Sequence, residues 1–244
     1  MPNSMNAEPF TLEAKEETPA VVMAPAYGML DLRRADCMDM MAEFPDGYFD
    51  LAIVDPPYGI GFDGDSTLGN NSSAKWKNPA KSQRYAKKDW DKAPPSPQYF
   101  TELRRVSRRQ IIWGGNYFPL PQSGGWIVWA KGTAEGMSLS DAELAWTNAA
   151  NNVKIIELLW SGFRKCEQVE RFHPTQKPVK LYRWLLENYA KPGQRILDTH
   201  LGSGSHAIAC YYAGMHLTAC EIDEDYFKAA SERIERETAQ TVLF

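Results

Sequence analysis

The apolar positions of the chain fall into short runs bounded by polar turns, interspersed with segments of helical period. Such runs predict strands when Gly, Pro, Asn or Ser residues flank them. The predicted strands are Tyr27–Ala35, Asp50–Val54, Ile111–Trp113, Trp126–Trp129, Glu143–Trp146, Ile155–Trp160, Arg195–Asp198 and Leu217–Ile222. The predicted helices are Met38–Phe44, Pro97–Arg109, a run through Ala207–Tyr211 and Glu224–Glu237. The pattern therefore predicts an α/β chain.

The turn Asp55-Pro56-Pro57-Tyr58 directly follows the predicted strand that ends at Val54. Its two prolines fix φ and donate no hydrogen bond, so the turn is stiff. The Asp55 carboxylate and the Pro56 carbonyl oxygen could accept both protons of an exocyclic amine. Tyr58 could lie against a base that has left its duplex stack. The turn thus predicts a site for an amine-bearing base, and the alternative is an ordinary strand-to-loop turn.

A glycine-rich turn, Thr199-His200-Leu201-Gly202-Ser203-Gly204-Ser205, separates the strand Arg195–Asp198 from a helix. Glycines let the backbone approach a ligand closely, and a helix start offers free N–H groups. The next strand ends in Glu221 and Asp223 about twenty residues later, the spacing at which an acidic side chain binds ribose hydroxyls. Together these features predict a nucleoside site.

These blocks resemble those of the amino-group DNA methyltransferases that use S-adenosylmethionine, in the permuted β class where the catalytic block precedes the cofactor block. The similar motifs are the catalytic motif at Asp55-Pro56-Pro57-Tyr58, the methionine-side cofactor motif at His173-Pro174-Thr175-Gln176-Lys177-Pro178, the glycine loop at Asp198–Ser205, and the ribose-binding strand end at Glu221-Ile222-Asp223 with Tyr226-Phe227. The resemblance covers roughly residues 27–235. It implies a Rossmann-like class I methyltransferase fold, with a mostly parallel sheet, helices on both faces and a circularly permuted motif order.

The resemblance also implies which residues act. Catalysis falls to Asp55, Pro56, Pro57 and Tyr58, and S-adenosylmethionine binding to Asp36, Cys37, His173, Thr175, Lys177, Asp198, His200, Gly202, Ser203, Gly204, Ser205, Glu221, Ile222 and Asp223. Asp36 matches the acid that receives the adenine amine of the cofactor, whereas the alternative is a helix N-cap. The family usually has Pro-Phe where this chain has Thr199-His200, so the aromatic contact either comes from His200 or is missing.

Residues 59–97 form a long predicted loop, and loops of this length are usually functional or disordered. The stretch Lys75–Lys88 carries no acidic residue, although the net charge of the chain is −4. This contrast indicates a phosphate-binding surface, with Trp76 and Tyr85 available to stack on bases, and the alternative is a solvated lysine loop. The predicted DNA-binding residues are Lys75, Lys77, Lys81, Arg84, Lys87 and Lys88. The arginines of the predicted helix Pro97–Arg109 could form a second phosphate-binding face. The alternative is that they interact favourably with the macrodipole at the end of the helix.

Length and composition fit one domain of this kind, since 244 residues with 43% apolar content can bury a full core. We expect a disordered acidic tail at 1–24, a single methyltransferase domain at 25–238 with the basic insertion 59–97, and a tail peptide at 239–244. The scattered cysteines predict free thiols and no metal site; they are Cys37, Cys166, Cys210 and Cys220. An acidic start and no run of about eighteen apolar residues predict a soluble intracellular protein without membrane association. The resemblance implies the cytoplasm of a bacterium or of a phage-infected host.

The expected function is methylation of the N6 amine of adenine in double-stranded DNA by base flipping, of the restriction-modification type. In this family an Asp that opens the catalytic motif is typical of adenine, and a Ser is typical of cytosine. N4-cytosine methylation and a catalytically silent DNA-binding or regulatory module are the alternatives. A homodimer is compatible with the sequence.

The last five residues, Gln240-Thr241-Val242-Leu243-Phe244, resemble the Gln-x-x-Leu-Phe peptides by which bacterial replication and repair proteins bind the sliding clamp. A glutamine and a Leu-Phe pair form a small anchor set for an apolar pocket. The alternative is a frayed tail that folds back on the core. The tail therefore predicts a sliding clamp as a second partner.

Overall fold

The structure, a computed structural model, describes residues 27–61, 88, 90–132, 140–161, 164–167 and 173–239. The strands are β1 Met29–Arg34, β2 Leu51–Val54, β3 Gln110–Trp113, β4 Gly125–Ala130, β5 Ala142–Thr147, β6 Val153–Glu157, β7 Trp160–Ser161, β8 Arg164–Lys165, β9 Arg195–Asp198 and β10 His216–Glu221. The helices are α1 Cys37–Ala42, α2 Pro97–Val106, α3 Val179–Tyr189, α4 Ser205–Tyr212 and α5 Glu224–Ala239.

One eight-stranded sheet has the order β1-β10-β9-β2-β3-β5-β4-β6, and β7 pairs with β8 in a separate two-stranded ribbon. The neighbours from β1 to β3 all pair in parallel, while β5 runs antiparallel to both β3 and β4. The expected mostly parallel sheet is therefore confirmed. Because parallel strands end at the same edge, the loops that follow β1, β2, β9 and β10 come together there, as ligand-binding loops do in open α/β sheets.

Alternate residues of the central strands supply two separate hydrophobic cores. Leu51 and Ile53 of β2 pack on the face that carries α3, α4 and α5. Ala52 and Val54 pack on the opposite face, against α1 and α2. The four positions are buried because β2 is covered on both sides, which explains its continuous apolar run. Helices on both faces are thus confirmed.

The predicted helix 97–109 ends early, at Val106. Backbone pairing with Phe49 takes over there, since the Phe49 amide donates to the Val106 carbonyl at 2.9 Å and the Arg108 amide donates to the Phe49 carbonyl at 2.9 Å. Residues 110–113 then form β3. A tertiary contact therefore overrides the local helical period.

Three arginines of this segment make ion pairs and hydrogen bonds to neighbouring segments. Arg105 pairs with Glu102 and Asp46, at 2.6 and 2.8 Å. Arg108 donates to the Gly47 carbonyl, and Arg109 donates to the carbonyls of Asp50 and Tyr189. These contacts engage the guanidinium groups within the fold, and a phosphate contact of these arginines stays a prediction.

Several predicted segments lie outside the described residues: the tail 1–24, most of the insertion 59–97, and the clamp-like peptide 240–244. Within the described part of the chain, no helix is long and apolar enough to cross a membrane. The four cysteines are unpaired thiols.

Candidate functional site

The loops at the carboxyl edge of the sheet enclose one cavity of about 480 Å³. The predicted site residues that line it are Asp55, Pro57, Lys88, His173, Thr175, Lys177, His200, Gly202, Ser203, Ser205, Glu221, Ile222 and Asp223. Trp90 and Tyr182 also line it, and the sequence pattern did not single them out. The cavity therefore joins the turn after β2, the segment before α3, the glycine loop after β9 and the end of β10.

The Asp55 carboxylate is held on both oxygens. The Tyr58 hydroxyl donates to Oδ1 at 2.8 Å, and the Lys177 ammonium donates to Oδ2 at 2.5 Å. The Lys177 side chain is only 3% exposed. Burial raises the pKa of Asp55, and the neighbouring Lys177 ammonium opposes that shift. Lys177, expected to contact the cofactor, is therefore also an ion-pair partner of the predicted catalytic carboxylate.

Tyr58 belongs to an aromatic cluster beside Asp55. Its ring stacks on that of Tyr117 with centroids 5.0 Å apart and an interplanar angle of 16°, and it contacts Phe118 edge-on. Gly114 makes this packing possible, because its φ is +68° and a Cβ there would lie 2.2 Å from Cε1 of Tyr58. Tyr117 is half exposed, so the cluster offers an aromatic surface next to the carboxylate.

The glycine loop is fixed from two sides. The Glu221 carboxylate accepts hydrogen bonds from the Gly202 and Asp223 amides at 2.9 and 3.0 Å. On the other side, the buried Arg233 of α5 donates to the Ser203 carbonyl at 3.0 Å and to the Ser205 hydroxyl at 2.9 Å. The sequence pattern did not identify Arg233. A lone arginine among the apolar positions of the predicted helix was the signal that could have found it.

Two predicted site residues, Asp198 and Gly204, do not line the cavity but stabilise the glycine loop. Asp198 accepts from the His200 amide at 3.0 Å and from the His206 ring at 2.9 Å, with its side chain buried. Gly204 has a φ of +75°, and a Cβ there would lie 2.9 Å from Cδ1 of Ile234. Both residues therefore shape the loop.

Two uncharged imidazoles line the cavity. His173 lies between Trp90 and Tyr226, with ring centroids 5.5 and 4.4 Å away. Burial lowers the pKa of His173 to about 3 and that of His200 to about 4, so both rings are neutral near pH 7. They therefore bring aromatic surface without charge.

The Thr199-His200 pair is anchored on α2. Thr199 is hydrogen-bonded to the Tyr99 hydroxyl at 2.6 Å and to Nδ1 of His200 at 2.9 Å. The His200 ring also meets the Tyr99 ring edge-on, with centroids 5.6 Å apart. His200 is thus placed where it could supply the aromatic contact that the Pro-Phe pattern leads one to expect.

Asp36 and Cys37 lie at the start of α1, beside the end of β10. The Asp36 side chain accepts from the Met38 amide at 2.7 Å, so its role as a helix N-cap is confirmed. Cys37 packs against the core, and burial raises the pKa of its thiol to about 11. A cofactor contact of either residue stays a prediction.

Lys88 is the predicted DNA-binding residue that the structure describes. Its ammonium lies 2.5 Å from Asp223 and 2.8 Å from Asp225, and 4.7 Å from the ring centroid of Tyr226. Two carboxylates thus neutralise Lys88 at the wall of the cavity, and its contact with DNA stays a prediction. Lys75, Lys77, Lys81, Arg84 and Lys87 lie outside the described residues.

A second carboxylate, Glu143 of β5, approaches the Asp55–Lys177 pair. Its Oε2 lies 3.1 Å from the Lys177 ammonium, and its Oε1 pairs with Lys131. Burial would raise the pKa of Glu143, but the two ammonium groups prevail and lower it to about 2. Glu143 is therefore ionised. The sequence pattern placed it on a strand without assigning it a role, although a glutamate on an apolar strand was a usable signal.

Comparisons with known proteins agree with this arrangement. Residues 131–232 match a family model for N6/N4 methyltransferases that is described as DNA methylase. The Escherichia coli (strain K12) protein YubD, whose name describes a methylase, is 28% identical over 213 residues, which cover 82% of this chain and 88% of that protein.

Two solved structures share the fold. The complex of M1.HpyAVI with SAM has 17% sequence identity and a TM-score of 0.52, covering 84% of this chain and 100% of that one. The PvuII DNA methyltransferase, described as cytosine-N4-specific, has 12% identity and a TM-score of 0.52, covering 89% and 94%. The expected class I methyltransferase fold is therefore confirmed.

Proposed function

We propose that this chain is an amino-group DNA methyltransferase, and that it transfers the methyl group of S-adenosylmethionine to the N6 amine of adenine in DNA. One observation carries the proposal. The turn after β2 that contains Asp55, the glycine loop and Glu221 all line the same cavity. An amine bound at Asp55 and a nucleoside bound at Glu221 would therefore lie in one cavity. The cavity volume of about 480 Å³ is within the usual range for small-ligand sites.

The residues present fit S-adenosylmethionine. Glu221 is oriented by the Gly202 and Asp223 amides, and its remaining lone pairs are suited to ribose hydroxyls. The neutral rings of His173 and His200 provide uncharged aromatic walls that do not repel a cation. When bound, the cofactor supplies an electrophilic methyl group on its sulfonium.

The chain's own contribution is to position the amine and to stabilise charge. An exocyclic amine shares its lone pair with the base ring, so it is a poor nucleophile until acceptors draw on its protons. Asp55 and the Pro56 carbonyl oxygen are the acceptors, and the Tyr58–Tyr117 stack gives the extruded base an aromatic surface. Alignment and electrostatic stabilisation of this kind account for most of the rate acceleration in direct group transfer. Such a transfer needs no covalent enzyme intermediate.

Adenine is favoured over cytosine because Asp55, and not a serine, opens the catalytic turn. The test is to incubate the protein with isotope-labelled S-adenosylmethionine and methylation-free genomic DNA, digest the product and analyse the nucleosides by mass spectrometry. We expect labelled N6-methyladenine. Labelled N4-methylcytosine would overturn the choice of base. The absence of any labelled nucleoside, in a preparation that binds the cofactor by calorimetry, would favour a silent DNA-binding module.

Cofactor binding depends on Glu221. We expect Glu221→Ala to weaken S-adenosylmethionine binding by roughly 1.5 to 3 kcal/mol, the range for hydrogen bonds to a charged group. Isothermal titration gives the dissociation constant. Glu224→Ala is the matched control, since Glu224 is three positions along and its side chain is 78% exposed. Equal dissociation constants for the two variants would contradict the assignment.

DNA binding is proposed to depend on the basic insertion. We expect a variant in which glutamine replaces Lys75, Lys77, Lys81 and Lys87 to bind DNA more weakly, with a flatter dependence of log affinity on log salt, because fewer phosphate contacts release fewer counterions. Fluorescence anisotropy at several salt concentrations measures the slope. Replacing Lys154, Lys180, Lys191 and Lys228 is the control with equal charge change. Identical slopes for the two variants would show that the insertion does not contact phosphates.

A further inference from the structure

Four charged side chains form a row at the back of the cavity, in the order Asp55, Lys177, Glu143 and Lys131. The Lys177 ammonium lies between the two carboxylates, 2.5 Å from Asp55 and 3.1 Å from Glu143. Lys131 pairs with the far oxygen of Glu143. The row carries two positive and two negative charges, which balances it electrostatically. Burying such charges has a large desolvation free energy unless every charged group has partners.

One acceptor in this row is only partly engaged. Oε2 of Glu143 is buried and has no hydrogen bond of acceptable angle within the described part of the chain, although the Lys177 ammonium is only 3.1 Å away. The aligned bond of Lys177 goes to Asp55 instead. Lysine has three N–H donors, so a small rotation of the ammonium would align one of them with Glu143 and weaken its bond to Asp55. The rings of Trp113 and Tyr58, 5.4 and 5.8 Å from the ammonium, provide favourable cation–π surroundings.

In the present arrangement the Asp55 carboxylate shares its acceptor capacity with an ammonium group. Asp55 already accepts from Tyr58 and Lys177, and a full ion pair weakens a carboxylate as an acceptor for a third donor. Methyl transfer also develops positive charge on the amine nitrogen. An ammonium bonded to Asp55 would then compete with that charge for the same carboxylate, so Lys177 needs a second position.

We propose that Glu143 is a positioning residue that receives the hydrogen bond of Lys177 when the target amine binds, and thereby frees Asp55 to accept the amine protons. This inference rests on the proposed function and goes beyond it, since it assigns a role to a residue outside the motifs. Glu143 touches neither base nor cofactor in this scheme and acts only through Lys177. The ammonium remains paired throughout, so the switch leaves no buried charge alone.

The charged and titratable groups that face Asp55 are few among the described residues. Lys177 and Tyr182 face it from the segment that includes α3, Glu143 from β5, and Tyr58 from its own turn. The negative charge of Glu143 raises the pKa of Asp55, and Lys177 lowers it. Removing the charge of Glu143 should therefore lower the pKa of Asp55 and tighten its pair with Lys177.

The test is Glu143→Gln, measured as the single-turnover methyl-transfer rate at saturating cofactor and DNA across a range of pH. We expect the plateau rate to fall about 10- to 100-fold, as for loss of a hydrogen bond to a charged group. The acid limb, which reports ionisation of Asp55, should move to lower pH. The dissociation constant for S-adenosylmethionine should stay within about twofold. Glu187→Gln, on the exposed face of α3, is the matched control.

A second variant has the opposite expectation and keeps the inference testable if Glu143→Gln does not fold. Lys131→Met keeps Glu143 and removes its competing cation, so Lys177 should move to Glu143 more readily and the rate should equal or exceed that of the wild type. A wild-type rate in Glu143→Gln, a lowered plateau with an unmoved acid limb, or a loss in Lys131→Met would each overturn the inference. Failure of the wild type itself to methylate DNA would instead refute the proposed function.

Discussion

Asp55→Ala is expected to lower the methyl-transfer rate by at least about 10²-fold, the effect of removing one preorganised group that stabilises a transition state. The carboxylate faces the cavity at the end of β2, where it can accept amine protons. The variant should remain folded, because Lys177 retains Glu143 as an ionic partner. Cofactor binding should change little, since Glu221 and the glycine loop make no hydrogen bond to Asp55 among the described residues.

Two measurements check this prediction: transfer of labelled methyl groups to DNA, and titration of the variant with S-adenosylmethionine. Asp39→Ala is the control, because Asp39 is exposed in the first turn of α1. Near wild-type turnover in Asp55→Ala would show that the carboxylate is not the amine acceptor. Loss of cofactor binding in step with turnover would show that the residue belongs to the cofactor site instead.

Gly114→Ala is expected to lower the transfer rate by about 10²-fold, since a displacement of about 1 Å in a positioning group can have that effect. The new Cβ would lie 2.2 Å from Cε1 of Tyr58, so the Tyr58 ring must leave its position against Tyr117. Its hydroxyl bond to Asp55 would be disturbed at the same time. The glycine loop is not touched, so the dissociation constant for the cofactor should be unchanged.

The chain offers a matched control for this variant in Gly193→Ala. Gly193 also has a positive φ, +83°, but a Cβ there would meet no heavy atom within 4 Å. Both variants therefore carry a similar backbone strain of about 1 to 2 kcal/mol, and only Gly114→Ala adds the steric conflict with Tyr58. Thermal melts measure the shared strain, and transfer rates measure the difference. Equal transfer rates for the two variants would exclude a catalytic role for the position of Tyr58.

Local sequence patterns were enough to predict most strands. The run Leu51–Val54 is apolar at every position because β2 has helices on both sides, and the strand Arg195–Asp198 was predicted with the bounds that the structure has. The helix Val179–Tyr189 was not predicted, although its buried Leu181 and Leu185 have the spacing of a helix face. The predicted end of the helix 97–109 was wrong. The helix ends early because residues 106–108 pair with Phe49, which is distant in sequence.

Local sequence was enough to place Asp55, the glycine loop and Glu221 at the ends of three strands, because a strand followed by a stiff turn or a helix is a local pattern. The groups that these motifs contact depend on the folded sheet. Lys177 is 122 residues from Asp55, and its second partner Glu143 lies on a strand that runs antiparallel to its neighbours. Such pairs depend on strand order and side-chain direction in the folded sheet, and neither is encoded in a short stretch of sequence.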